Sequence, residues 1–274
     1  MASKITFIGA GNMASAIIGG LIDSGVTPSD ITATAPRESE LAAVRSRLSI
    51  NTQTDNDAAV SQADVVVLAV KPQIMREVCE ALSDSIQQRK PLVISIAAGL
   101  DAATIDQWLG GDNALVRCMP NTPSLVGQGA SGLYANARVN DAQREMATQL
   151  MEAVGIVEWV DEESLLDAVT AVSGSAPAYF FLMLEAMEDA AVKLGLPADT
   201  ARRLAIQTAL GAATMAQQSD KDPATLKQNV MSPGGTTEQA IQHMEDADLR
   251  TTIADAMQAC AKRAQAMSKE LSGH

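Results

Sequence analysis

Histidine is nearly absent from the chain. Its two copies are His243, inside a helical pattern, and the terminal His274. No G-x-S-x-G elbow and no H-E-x-x-H pair occurs, so nucleophilic hydrolysis and metal chemistry lose most of their support. Cysteine is scarce as well. Cys79, Cys118 and Cys260 are widely spaced, with none of the short separations of zinc or redox sites, and read as reduced and mostly buried. Basic charge is short: 20 Lys and Arg face 33 Asp and Glu, for a formal net charge of −13. Such a field repels phosphate backbones and anionic lipid, which argues against nucleic acid and membrane as partners. No run approaches the roughly 18 apolar residues of a membrane span. Lys4 leads at once into the strand-like Ile5-Thr6-Phe7-Ile8, leaving no room for a signal peptide. A soluble, cytoplasmic protein is expected.

What is present is apolar bulk in two different rhythms. With 274 residues, 47% of them hydrophobic, the chain has material for two modest domains. Up to about residue 160, short apolar runs alternate with helical patterns: Ile5–Ile8, Ile31–Ala35, Val65–Val70, Leu92–Ile96 and Leu115–Cys118. This is the rhythm of βαβ units and a parallel sheet. The unbroken run Val65–Val70 suits a central strand covered on both faces. The fold class expected is α/β, a doubly wound parallel sheet over residues 1–162 followed by an all-α domain over 163–274.

In that second part nearly everything from Ser164 to Leu271 reads as helix, with breaks at Gly195-Leu196-Pro197, around Asp220–Pro223 and at Ser232-Pro233-Gly234-Gly235. In Tyr179-Phe180-Phe181-Leu182-Met183-Leu184 apolar residues fill every side of the helix rather than one stripe, which calls for partners all round. A helical domain of this size can hardly supply them alone, so a second subunit is expected.

The first strand leads into Gly9-Ala10-Gly11-Asn12-Met13-Ala14, a G-x-G-x-x-A fingerprint in its required setting between strand and helix. Small residues there allow the turn, close approach of a pyrophosphate and helix packing, and the helix amides face the anion. NAD-preferring sites carry an acid near the end of the second strand. Here that strand ends Thr34-Ala35-Pro36-Arg37, with a guanidinium suited to a 2′-phosphate; alternatively Arg37 is a surface residue paired with Glu38 or Glu40. Ala69-Val70-Lys71-Pro72 and Ser95-Ile96-Ala97-Ala98-Gly99 fall at strand carboxyl ends, where ligands of open α/β sheets sit. Pro72 disfavours helix at Lys71, which can therefore face the cofactor crevice, although Lys-Pro also serves ordinary turns.

Two later segments have unusual glycine and hydroxyl content: Val172-Ser173-Gly174-Ser175-Ala176-Pro177-Ala178-Tyr179, and Met231-Ser232-Pro233-Gly234-Gly235-Thr236-Thr237-Glu238. The second precedes a helical run from Glu238 to Met244. It could gather free amides and hydroxyls around a carboxylate or phosphate, or merely cap the helix through Thr236 or Thr237.

Taken with Val70-Lys71-Pro72 and Met119-Pro120-Asn121-Thr122-Pro123, these motifs make the sequence resemble the pyrroline-5-carboxylate reductases over essentially its whole length. Ser173–Tyr179 and Ser232–Thr237 carry most of the specificity. The resemblance implies reduction of 1-pyrroline-5-carboxylate to L-proline, the final step of proline biosynthesis, with NADP (NADPH) as cofactor. It implies an N-terminal Rossmann-like, NADP-binding doubly wound sheet over 1–162 followed by an all-α dimerisation and substrate-binding domain over 163–274, interlocked with its mate in a homodimer and often assembled into larger rings. Implied cofactor contacts are Ile8, Gly9, Ala10, Gly11, Asn12, Met13, Ala35, Arg37, Asn56, Ala69, Val70, Lys71, Pro72 and Ala97. Implied substrate contacts are Ser232, Gly234, Gly235, Thr236 and Thr237, with Asn229 and Glu163 at the edges of the ligand sites. The family's substrate lies between the nicotinamide and the loop before a C-terminal helix. Backbone amides would hold its carboxylate and the catalytic Thr237 hydroxyl its ring nitrogen.

Two other readings compete. A β-hydroxyacid dehydrogenase shares the two-domain plan but relies on a helical-domain lysine for proton transfer; Lys193, the one candidate, sits at a helix end where it favours the dipole. A nucleotide sensor would keep the fold without turnover, and the intact Ser232–Thr237 loop argues against it.

Overall fold

Val65–Leu68 (β4) has no wet side. In the computed structural model, which describes residues 3–272, all four of its residues are buried. Val65 and Val67 enter one hydrophobic core and Val66 and Leu68 another, on opposite faces of the sheet, as the two-residue period of a strand requires. Ile5–Ile8 (β1) and Leu92–Ser95 (β5) flank it in parallel and are buried in the same way. Ile31–Thr34 (β2) and Asn51–Gln53 (β3) extend the sheet beyond β1; Leu115–Met119 (β6), Gly129–Ala135 (β7) and Gly155–Trp159 (β8) extend it beyond β5. The order is β3-β2-β1-β4-β5-β6-β7-β8, a doubly wound sheet whose direction of growth reverses at β1 and β4. A crevice opens there, at the carboxyl ends of the strands.

One pairing departs from the expected parallel sheet: β6 and β7 run antiparallel. The chain between them makes only the short 3-10 turn Thr122–Val126, and a parallel return needs a crossover of a dozen or more residues.

The helices follow from their apolar spacing. Asn12–Asp23 (α1) buries Ala14, Ile17, Ile18 and Leu21. Glu38–Leu48 (α2) and the short Asn56–Val60 (α3) follow β2 and β3. Pro72–Arg89 (α4) buries Met75, Cys79, Leu82 and Ile86, one stripe at steps of three and four. Each such side chain contributes about 1.5–3 kcal/mol relative to exposure. Ala102–Trp108 (α5) and Asp141–Glu152 (α6) complete the cover. Cys79 and Cys118 are buried and free. Burial, aided at Cys79 by the Glu80 charge, pushes both thiols up to about 12, so neither offers a thiolate at neutral pH.

Strands give way to helices after β8, where Leu165–Val169 (α7) runs through a π turn, Thr170–Gly174, towards Ala176–Lys193 (α8). The packing divides later, into a first unit that runs to Ser175 and takes in the chain from Ala259, and a second unit, Ala176–Gln258. Ala198–Gln218 (α9), Pro223–Asn229 (α10), Thr236–Asp246 (α11) and Leu249–Ser272 (α12) follow. The three expected breaks are present. A fourth, unforeseen, is the left-handed Asp248, with φ of 57°, which parts α11 from α12. His274 lies outside the described residues. The end of α12 belongs to the first unit, where Leu271 packs against the core under α4.

The second unit leaves much of α8 uncovered: Phe180, Phe181 and Leu182 are each about two-thirds exposed. Taken together, α7, the π turn and α8 give a helical run, Leu165–Lys193, long and apolar enough to cross a membrane by length and composition. That corrects the expectation that no segment comes close. The core helix of an assembly, apolar on every side, meets the same criterion.

Candidate active site

Parallel register puts Thr34, Ile8, Leu68 and Ser95 in one row across the sheet. Their successors Ala35, Gly9, Ala69 and Ile96 therefore stand together at the carboxyl edge. Gly9 has φ of +106°, and a β-carbon there would lie 2.7 Å from the Ala69 carbonyl oxygen; only glycine fits. Gly11 has open space where its β-carbon would be. It is the N-cap of α1, with no side chain on the first helical amides, so Asn12 and Met13 open a helix whose free N–H groups face outward. A pocket of about 540 Å³ runs from Gly9–Asn12 past Ala35 and Pro36 to the α2 face at Glu40 and Arg47. A tight turn, a bare cradle and a free helix start together fit a dinucleotide pyrophosphate. Ile8 is part of the buried core beneath this turn.

Arg37 is the N-cap of α2 and three-quarters exposed. Its Nε donates to Glu40 Oε1 at 2.8 Å and its Nη2 donates to the same oxygen. It is Glu40, not Arg37, that lines the pocket. Glu38 is occupied by Arg45. Lys71 is the N-cap of α4 in extended conformation, with Pro72 opening the helix, as the proline rule requires. Val70 packs beside the Gly9 turn. Asn56 opens α3 after the N-cap Asp55.

Ala97 is buried and lines a second cavity of about 200 Å³ with Met119, Ser175 and Cys260, all of the first unit. Around it the family-like motifs prove to be stitching. Asn121 donates to the Ser173 carbonyl and accepts from the Ala130 amide. Cys260 donates to Ser175 Oγ at 3.2 Å. Glu163 is tied down: its Oε1 accepts from the Ala102 amide at 2.6 Å and from Arg117 at 2.8 Å. Nothing in the spacing of residues 117 and 163 foretells this pair, which depends on the sheet register.

In the second unit, Ser232, Gly234 and Gly235 form a tight turn. The Gly235 amide donates to the Ser232 carbonyl at 2.8 Å, Gly234 has φ of 70°, and the Gly234 amide donates to Glu238. The N-cap of α11 is Gly235, with no side-chain cap. Thr236 and Thr237 are thus the first two helical residues, and the capping role weighed for them belongs to neither. The helix also starts two residues earlier than its pattern implied. Asn229 is the exposed last residue of α10. Hydrogen bonds from Arg250, helped by Lys227 of α10, hold the Glu245 carboxyl down to about 2. The Lys227–Glu245 pair links α10 to α11 on either side of the turn. His243 is exposed, and Lys193 ends α8.

A glycine turn at the switch point of a doubly wound sheet, followed by a helical unit with its own free helix start, defines the class: a nucleotide-binding protein of two units. Residues 4–99 match the family model for NADP oxidoreductase, coenzyme F420-dependent, and residues 163–267 that for pyrroline-5-carboxylate reductase dimerisation. A pyrroline-5-carboxylate reductase of Pseudomonas aeruginosa is 50% identical, over 98% of both chains. The solved structure of such a reductase from Coxiella burnetii matches with a TM-score of 0.95 at 46% identity, covering 98% of this chain and 100% of its own. A Plasmodium falciparum pyrroline carboxylate reductase, solved with NADP bound, matches at 0.86 and 30% identity, over 97% of this chain and 98% of its own. The chain belongs to the pyrroline-5-carboxylate reductase family.

Proposed function

We propose that this protein reduces the C=N bond of 1-pyrroline-5-carboxylate to give L-proline, the last step of proline biosynthesis, with NADPH as the preferred cofactor. The observation that carries the reading is the presence in one chain of two anion-ready helix starts. One is the bare Gly11 cradle at the head of α1, the other the Gly234-Gly235 turn at the head of α11.

The reduced nicotinamide, when bound, supplies the hydride. Amides of Gly9–Met13 hold the pyrophosphate. Ala35 and Arg37 take the 2′-phosphate end, Asn56 the adenosine ribose, and Ala69–Pro72 and Ala97 the nicotinamide side. The free amides of Thr236 and Thr237 at the head of α11 clamp the substrate carboxylate beside the Ser232–Gly235 turn, with Asn229 and Glu163 at the edges of the ligand sites. Thr237 orients the ring nitrogen. A cyclic imine protonated in water needs no further acid from the protein, so positioning and the carboxylate clamp carry the catalysis. A threonine hydroxyl is too weak an acid to do more than orient or relay through water.

The same reading makes the protein cytoplasmic and membrane-free, with a homodimer as the unit from which larger rings are built. The exposed apolar α8 supports the homodimer, because such a face needs cover. Steady-state oxidation of NADPH with 1-pyrroline-5-carboxylate, and identification of proline as the product, tests the activity. Turnover of a hydroxy acid instead would favour the dehydrogenase, and nucleotide binding without turnover the sensor.

A further inference from the structure

We infer that Glu40 sets the balance between NADPH and NADH, acting as a specificity-determining residue that competes with the 2′-phosphate for Arg37. The inference rests on reading the pocket along Gly9–Asn12 as the nucleotide site. Among the described residues Glu40 is the only carboxylate lining that pocket, and it does so together with Ala35 and Pro36 at the end of β2. The strand itself offers no acid there. α2 supplies one from its first turn, three residues after the guanidinium.

Two Arg37 nitrogens converge on Glu40 Oε1, while Oε2 carries neither bond. Arg37 is three-quarters exposed and drawn to Glu40, so it is an ally of the phosphate only once Glu40 releases it. A dianionic 2′-phosphate entering beside Ala35 meets the Glu40 carboxylate, with Arg47 the cation that shares the lining, and must draw the Arg37 guanidinium over to itself. An exposed ion pair is weak enough to be broken this way, because bidentate contact with phosphate is stronger. A ribose 2′-hydroxyl faces no such repulsion. It finds in Glu40 the acceptor that NAD-preferring sites place at the strand end. Glu40 therefore holds NADPH preference below what Arg37 alone would give. Glu38 is no substitute, since Arg45 holds it and it does not line the pocket. Both acids sit in the first turn and favour the helix dipole equally, so a merely structural role predicts equal consequences for the two.

Calorimetric titration of the intact protein with adenosine 2′,5′-bisphosphate and with 5′-AMP tests this, with melting temperatures recorded for each variant. Glu40→Gln should bind the bisphosphate about three- to tenfold more tightly, with 5′-AMP unchanged or weaker. Glu38→Gln should leave the ratio of the two affinities where it was. If Glu40→Gln leaves that ratio unmoved while the wild type binds both ligands, or if Glu38→Gln shifts it as much, the inference is overturned and the nucleotide site stands. If the wild type binds neither ligand, the nucleotide reading falls and the inference with it.

Discussion

The carbonyl oxygen of Ala69 stands 2.7 Å from the position a β-carbon would take on Gly9. The end of β4 thereby holds the first turn of the nucleotide site in a shape only glycine adopts. Gly9→Ala should therefore harm folding itself, by about 1–3 kcal/mol of backbone strain and clash, and nucleotide affinity with it. Gly11→Ala makes the contrast. Its φ is −72° and its β-carbon would enter open space, so the melting temperature should move little while nucleotide binding drops. Thermal melts and nucleotide titrations on the two variants check this, and equal melting of both would contradict it.

Arg37 is expected to recognise the 2′-phosphate once freed from Glu40. Reversing its charge, Arg37→Glu, should lower kcat/KM for NADPH at least about tenfold more than for NADH, because only NADPH loses a charge-assisted bond and gains repulsion. Equal losses with both cofactors would remove Arg37 from the site.

Thr237 is the second residue of α11 and not its cap. Thr237→Ala should leave stability within about 0.5 kcal/mol, while kcat/KM for the imine falls about ten- to a hundredfold, the worth of one hydrogen bond to a charged group. NADPH affinity should hardly change. A variant that melts early yet turns over normally would make the hydroxyl structural.

The exposed Phe180, Phe181 and Leu182 of α8 predict that the folded chain is not a stable monomer. Light scattering on progressively diluted protein should find no species smaller than a dimer that keeps its activity. An active monomer at nanomolar concentration would contradict this.

Much of this was readable in the residues. The β-branched runs at Ile5, Val65 and Leu92 and the glycine turn after Ile8 are local signals, so their strands, the turn and the helix after it needed no tertiary information. β3, β7 and β8 were harder. Asn51-Thr52-Gln53 is polar, Gly129–Ala135 contains two glycines, and Gly155–Trp159 is nowhere fully buried. These strands form because the sheet beside them offers hydrogen bonds, not because their own propensity demands it. The Glu40 partner of Arg37 was among the alternatives, being three residues along a helix. The Arg117–Glu163 pair and the roles of Asn121 and Ser175 come from register and packing across distant segments, which spacing does not encode. The left-handed Asp248, splitting α11 from α12, had no glycine to announce it.

The most direct test of the reductase account is the fate of the hydride itself. Protein turned over with NADPH deuterated at the transferring C4 position and 1-pyrroline-5-carboxylate should yield L-proline carrying one deuterium at its δ-carbon, as read by mass spectrometry and NMR. Unlabelled proline, or nucleotide binding with no proline formed, would contradict hydride transfer to the cyclic imine.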